Sequence, residues 1–505
     1  MWRLWLLPLG LVYGHACPQK CTCEQAGSVQ CFRVQAVPPG LQRDVRSLKL
    51  PYNHIKEIKV IYCCLSLICM SDFSMLMELE DISLASCGIE TVEVGAFGLQ
   101  RSLRSLDLQK NKLRQVPRGL PAGLETLRLG HNRIHSLQES TFEGLRRLRV
   151  LELHNNLISS LRGNSLSPLV RLDRLYLDAN RMEAVQGTLR LPQLHLLSME
   201  SNKISSLSSA FFALLQSLRT LRLSGNLLAR VPHDLPQGLL HLNLDHNQIR
   251  ALRSRDMAQL RNLSVLSVSN NRLASVDGGL RLPNLTVLEM PGNNLRALPS
   301  RLAPRLERLD CGQNGLQEVG HQHLSAMRHL KHLFLENNTI KHFEGHALRS
   351  CFQLTNLALE QNHLSTVPEG LPETLVRLDL KLNRIAAVGE KELRGLKRLQ
   401  VLNLRNNRLT TLGLPALLHL PRLRRLYLDQ NPWNCSCELL RVKRTLLARG
   451  VDVAGELCHG PGHAPGGGWR ASLLEQDRCE DHIREAAERE QLQVTDIEED
   501  YDYGV

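Results

Sequence analysis

Seventeen times between Leu48 and Asn431 the chain repeats the pattern L-x-x-L-x-L-x-x-N. One copy reads Leu103-Arg-Ser-Leu-Asp-Leu-Gln-Lys-Asn111 and another Leu399-Gln-Val-Leu-Asn-Leu-Arg-Asn-Asn407. Leucines that alternate with polar residues predict a short strand with one apolar side, and the asparagine turns the chain out of it. So short a unit cannot bury its apolar edge alone, and the copies must stack, each covering the next. Stacking produces a long face of parallel strands. Such a face can hold a partner, and nothing in the repeated residues supplies chemistry.

The period predicts a leucine-rich repeat solenoid of the α/β type. This is a curved horseshoe with parallel strands on its concave face and a mostly irregular, polyproline or 3-10 back. From residue 87 on, the asparagine slots lie 21, 22 or 24 residues apart, with Cys87 in one slot. The longer units carry an extra apolar turn on the back, as in Thr141-Phe-Glu-Gly-Leu-Arg-Arg-Leu148. The shorter ones replace it with proline, as in Val116-Pro-Arg-Gly-Leu-Pro121, which suits an extended back wall. A buried asparagine amide can satisfy the unpaired backbone groups of the turn, in register from repeat to repeat. Cys311 and Cys351 fall on leucine slots and are expected to be buried thiols.

The first interval, Asn53 to Cys87, is 34 residues. Taking out Ile61 to Met70 restores a 24-residue unit, so 61–70 reads as an anomalous insert that carries Cys63, Cys64 and Cys69. It is either a splice or gene-model variant or a real loop, and sequencing the transcript across Val60 and Ser71 distinguishes the two.

The segments at each end point to export. Residues 1–16 read as a signal peptide: Arg3, an apolar run from Leu4 to Val12, and a small-residue exit at Gly14-His15-Ala16. That run is too short to span a bilayer, and no later stretch reaches the required length. Residues 17–44 form an N-terminal cap, Cys17-x3-Cys21-x-Cys23-x7-Cys31, and 45–431 hold the seventeen repeats. Residues 432–479 form a C-terminal cap containing Trp433, Cys435, Cys437, Cys458 and Cys479. An exported chain makes disulfides the expected use of these cysteines, so neither a metal nor a cofactor is expected. Residues 480–505 are an acidic tail, largely disordered by composition, with ten acidic residues against Arg484 and Arg489.

The N-terminal cysteine spacing, the 21/24 rhythm and the secreted format resemble the small leucine-rich repeat proteoglycan family of the extracellular matrix. The resemblance covers about 460 residues. It implies Cys17–Cys23 and Cys21–Cys31 disulfides, and caps of the C-terminal kind imply Cys435–Cys458 and Cys437–Cys479. It also implies partners among collagens and growth factors of the transforming growth factor-β class, with damping of that signalling. Commoner members close with a two-cysteine repeat, so the four-cysteine C-terminal cap is a departure. Ser224-Gly225 is the sole Ser-Gly and lies inside a repeat turn. We therefore expect a glycoprotein without glycosaminoglycan chains, with N-glycosylation sequons at Asn262, Asn284, Asn337 and Asn434.

Three columns of outward strand residues stand out as ligand contacts: Arg174-Tyr176-Asp178, His332-Phe334-Glu336 and Arg425-Tyr427-Asp429. Each sets an aromatic between charged or polar neighbours, the composition of interface hot spots. Nearby Glu200, Asp245 and Glu360 suit a basic ligand surface. The chain carries a net charge of +12, and its runs Arg146-Arg147-Leu-Arg149 and Arg422-Leu-Arg424-Arg425 suit heparan sulfate. Nucleic acid is a poor partner for a secreted chain. Tyr501 and Tyr503, embedded in acids, suit tyrosine sulfation.

The leading expectation is a secreted matrix protein that binds protein ligands on its concave face. The alternative is a soluble receptor-like or guidance ligand, supported by the C-terminal cap. An enzyme is not expected, because the histidines and aspartates assemble no recognisable nucleophile–base pair.

Overall fold

A computed structural model describes residues 17–24, 27–34, 38, 41, 43–53, 67–68, 73–278, 280, 282–433 and 437–454. The expected signal peptide (1–16), Cys63, Cys64 and Cys69 of the insert, Asn434, Cys435, Cys458, Cys479 and the acidic tail with Tyr501 and Tyr503 lie outside these residues. Two compact units divide the chain, Met1–Gln248 and Ile249–Val505. Each is a parallel-strand solenoid of stacked coils.

The first unit opens with an antiparallel hairpin, Cys21–Glu24 against Ser28–Cys31. Disulfides Cys17–Cys23 and Cys21–Cys31 tie it together. Ser28–Cys31 then pairs in parallel with Ser47–Lys49. The following strands are Asp81–Ser83, Ser105–Asp107, Thr126–Arg128, Val150–Glu152, Arg174–Tyr176, Leu196–Ser198, Thr220–Arg222 and His241–Asn243. In the second unit the strands run from Val265–Ser267 through Val287–Glu289, Arg308–Asp310, His332–Phe334, Asn356–Ala358, Arg377–Asp379 and Val401–Asn403 to Arg425–Tyr427. All fall on the x-L-x core of the repeat. The register sets leucine against leucine, as in Leu309 opposite Leu333 and Leu333 opposite Leu357. These leucines are almost wholly buried and form the core of each coil.

The asparagine column does what the repeat requires of it. Asn111 accepts hydrogen bonds from the amides of Cys87 and Ile89, both at 3.0 Å. Its amide donates to the carbonyls of Leu84, Leu108 and Gln109 at 2.9–3.1 Å. One side chain therefore joins two successive turns. Asn53 ties the hairpin to the first repeat by the same device, accepting from the Val34 amide and donating to the Cys31 carbonyl. In the slot held by Cys87, the thiol donates to the Leu50 carbonyl at 3.1 Å, and burial pushes its pKa up to about 11. Cys87, Cys311 and Cys351 are free, buried thiols.

The residue before each asparagine has a positive φ, as at Lys110, His131, Ala179 and Leu382. No β-branched residue occupies that column, where the left-handed conformation would crowd it.

The back of the coils is more regular than an irregular wall. Single turns such as Glu139–Phe142 (3-10) and Ser209–Phe212 (α) alternate with short parallel pairs. Examples are Ser160–Arg162 with Ala184–Gln186 and Glu318–Val319 with His342–Phe343. One such pair involves the anomalous insert: Leu67–Ile68 pairs with Thr91–Val92, and Ile68 is buried. Ile68 precedes Phe73 by five residues, as Val92 precedes Phe97, and the two phenylalanine rings stack at 5.3 Å. With 61–70 removed, Ile58 stands at that same distance from Phe73.

At the other end, helix Cys437–Ala448 leads into strand Asp452–Ala454, which adds to Arg425–Tyr427. The Trp433 indole donates to the Leu428 carbonyl at 3.0 Å, fastening the cap to the last repeat.

Candidate functional site

Outward residues of the strands stand in columns because every repeat enters the sheet in the same register. In the first unit Tyr176 is half-buried and Arg174 exposed. Asp178 is partly spent on structure, since its carboxylate accepts from the Glu200 amide at 2.7 Å and from the Ser198 hydroxyl. Asp173 bridges Arg174 at 3.3 Å and His195 at 2.6 Å. Burial, reinforced by Asp178 and Asp245 and opposed by Arg222, raises the Glu200 pKa.

The second unit holds a denser arrangement. Phe334 lies under the Arg308 guanidinium, 4.3 Å from the ring centre, with the His332 ring stacked beside it at 6.3 Å. Arg308 is itself held by Glu289 at 3.0 Å and Asp310 at 3.5 Å. Glu336 folds over Gly312, where a methyl group would stand 2.7 Å from its carboxylate. Further along, Arg405 sits 4.5 Å from the Tyr427 ring centre and pairs with Asp429. Arg425 reaches Asp452 at 3.8 Å.

Three carboxyls on this face are held above their usual range, chiefly by burial. Asp310 is raised and Glu336 is raised, each against the pull of Arg308. Glu360 rises to about 7 through burial, then repulsion from Asp379 and Glu336. One oxygen each of Glu336 and Glu360 is buried without a hydrogen-bond partner. Both residues are half-buried, so the remainder of each carboxyl is open to a ligand's donors. The folded pKa of Glu360 lies above the usual 4.5, so the folded chain holds the proton more tightly. Stability is therefore lost as the pH rises from the usual value through about 7. Glu360→Gln is expected to stabilise the chain by about 1–2 kcal/mol at about pH 8 after allowance for solvent screening, and not at all near pH 4. Denaturant titrations at the two pH values check this, and an equal gain at both would refute it.

The structure keeps the three expected columns on the strand faces but does not leave them bare. Sequence reading missed the arginines that cover Phe334 and Tyr427, and the carboxyls of Asp310 and Asp379. Aligning the repeats in columns would have found them, since Arg308 and His332 face one another across adjacent strands.

Of the sequons, Asn262 and Asn337 are exposed, while Asn284 donates to the Arg261 carbonyl and accepts from Arg305. Among the described residues no group of three His, Cys, Asp or Glu side chains could hold a metal ion, and no helix is long and apolar enough to cross a membrane.

A family profile described as leucine rich repeat matches residues 122–182, 304–364 and 373–432. Nephrocan of Mus musculus is 49% identical over 490 residues, which covers 96% of this chain and 94% of that protein. Podocan-like protein 1 of Mus musculus is 32% identical over 426 residues, covering 78% and 75% respectively. Among solved structures, that of the Toll–Spätzle complex of Drosophila is similar with a TM-score of 0.68 at 20% identity, covering 86% of this chain and 69% of that one. That likeness concerns the fold alone. The relatives are matrix proteins that bind or scaffold, and no enzyme family is indicated. With an identity near one half sustained along almost all of nephrocan, the chain belongs to the small leucine-rich repeat proteoglycan family.

Proposed function

We propose that this chain is a secreted extracellular-matrix glycoprotein that binds protein ligands through the strand face around Phe334. The observation that carries the reading is the half-buried Phe334 ring, held between Arg308 and His332, with the half-buried carboxyls of Glu336 and Glu360 on the same strand face. An aromatic anchor flanked by acceptors suits a ligand that presents an apolar side chain with lysine or arginine next to it. Growth factors of the transforming growth factor-β class and collagen are the ligand classes proposed, with inhibition of that growth-factor signalling as the consequence. Heparan sulfate, read from the runs at Arg146 and Arg422, is a further proposed partner.

Fibrillar collagen and a purified growth factor of this class, each tested for binding to the secreted chain, provide the check. Phe334→Ala and Tyr176→Ala are each expected to weaken binding by about tenfold. Binding should also tighten as the pH rises through 7, because a cationic ligand favours ionised Glu360. Unchanged affinity in both variants would remove this face from consideration.

A further inference from the structure

Leaving each strand, the chain passes the asparagine and runs along one edge of the sheet, and the positions one and three residues beyond it are mostly exposed. In the second unit these positions carry Arg272, Arg296, Lys341, His363, Arg384 and Arg408. All but the half-buried His363 are exposed, and none takes part in an ion pair. From one residue before each of this unit's asparagines to three after it, the described residues include no Asp or Glu.

The first unit treats the same column differently. There Glu90 and Glu183 stand three residues beyond their slots, and each pairs with a lysine of the next repeat: Lys112 at 3.1 Å and Lys203 at 3.8 Å. The first unit's edge thus mixes two acids with Arg114, Arg133 and Arg181, whereas the second unit's edge carries cations and neutral residues with no acid among them.

His363, Arg384 and Arg408 occupy successive repeats and line one open groove with Gln361 and Asn383. Burial lowers the His363 pKa, and Arg384 and Lys341 add to the shift, a sign that these charges feel one another. Strands stack about 4.8 Å apart, so Arg272 to Arg408 spans six intervals, about 30 Å. A like-charged column of that length accumulates counter-ions that a linear polyanion would release.

We propose that this edge of the second unit binds a linear sulfated polysaccharide lying across the repeats. The edge positions carry no Phe, Tyr or Trp, and their one ring, the half-buried His363, gives no series of platforms on which successive bases could stack, which disfavours single-stranded nucleic acid. It offers no apolar anchor for a folded protein. Between the cations stand Asn294, Gln317, Thr339 and Ser365, whose amides and hydroxyls suit sugar hydroxyls. The proposal rests on the extracellular placement above, but its residues differ from those of the strand face and from the contiguous basic runs.

Binding of the full chain to immobilised heparin, measured over a series of salt concentrations, tests it. Arg296→Ala/Arg384→Ala/Arg408→Ala is expected to weaken binding by roughly tenfold or more and to flatten the salt dependence by about one unit of slope per side chain. The corresponding triple lysine variant should retain most of the affinity, and thermal melting should show both variants folded. Arg101→Ala/Arg171→Ala/Arg328→Ala, which removes three exposed arginines outside both this edge and the basic runs, serves as the control and should bind as the parent does. All variants are also measured with Asn337→Gln, because that exposed sequon lies on the same edge. Heparin binding unchanged in the alanine triple would overturn the proposal. So would equal binding of desulfated heparin or equal competition by single-stranded DNA. Binding that emerges only after removal of 480–505 would assign the edge to the chain's own acidic segment instead. Since Phe334→Ala does not touch this edge, loss of protein binding and loss of heparin binding are scored separately.

Discussion

Asn362→Ala is expected to cost about 3–5 kcal/mol of stability, far more than its size implies. The Asn362 side chain accepts from the Ile340 amide at 3.0 Å. It donates to the carbonyls of Leu335, Leu359 and Glu360 at 2.9, 3.1 and 3.2 Å. It is almost fully buried, so no water replaces what alanine removes. One amide and up to three carbonyls are left short of a partner in two successive coils, and each orphaned group costs about 1–3 kcal/mol, less where a carbonyl keeps a second bond. Asn294→Ala, at an exposed edge position, is the matched control and should stay within about 0.5 kcal/mol. Chemical denaturation followed by circular dichroism reads the difference. A cost below about 1 kcal/mol would mean that the column is not what holds the turns together.

Cys21→Ala/Cys31→Ala should destabilise the chain by about 2–3 kcal/mol, the cost expected for releasing a closed loop of this length. The effect should be local. The hairpin that this bond closes gives Ser28–Cys31 to the first repeat strand, and Asn53 bonds to both Cys31 and Val34. Freed from the bond, the hairpin would expose the end of the stack, and the coils beside it would open first, as in a one-dimensional array. Hydrogen exchange should therefore quicken at Leu48, Leu50 and Ile82 and stay unaltered at Leu378 and Leu402. Uniform quickening along the chain would contradict this picture, and so would no change at all.

Much of the architecture was legible because one short pattern decides burial many times over. Each strand sits where the middle leucine predicts, since any other register would put Leu309 or Leu333 in water. Cys311 and Cys351 followed from the same slots. The short back pairs, such as Leu67–Ile68 with Thr91–Val92, escaped notice because two residues carry no periodicity. Asp452–Ala454 was missed for the same reason, having no leucine pattern of its own. Contacts between columns were harder still. Arg308 and Phe334 are 26 residues apart along the chain and touch only because their strands are neighbours. Basic residues that adjoin in sequence, as at Arg146, caught the eye, whereas Arg384 and Arg408 form a surface only once the repeats are stacked.

The asparagine bonds also decide where such a chain tolerates a change of length. The asparagine bonds that fasten one coil to the next are all made at the end of the strand and the turn that follows it. An insertion there would detach the amide from the carbonyls of the coil before. On the back, Ile68 and Val92 each stand five residues ahead of a phenylalanine whose ring stacks on the other. Ile68 holds that place in this chain, and Ile58 would hold it in a chain ten residues shorter. Chains with and without residues 61–70 would then keep the same register of strands.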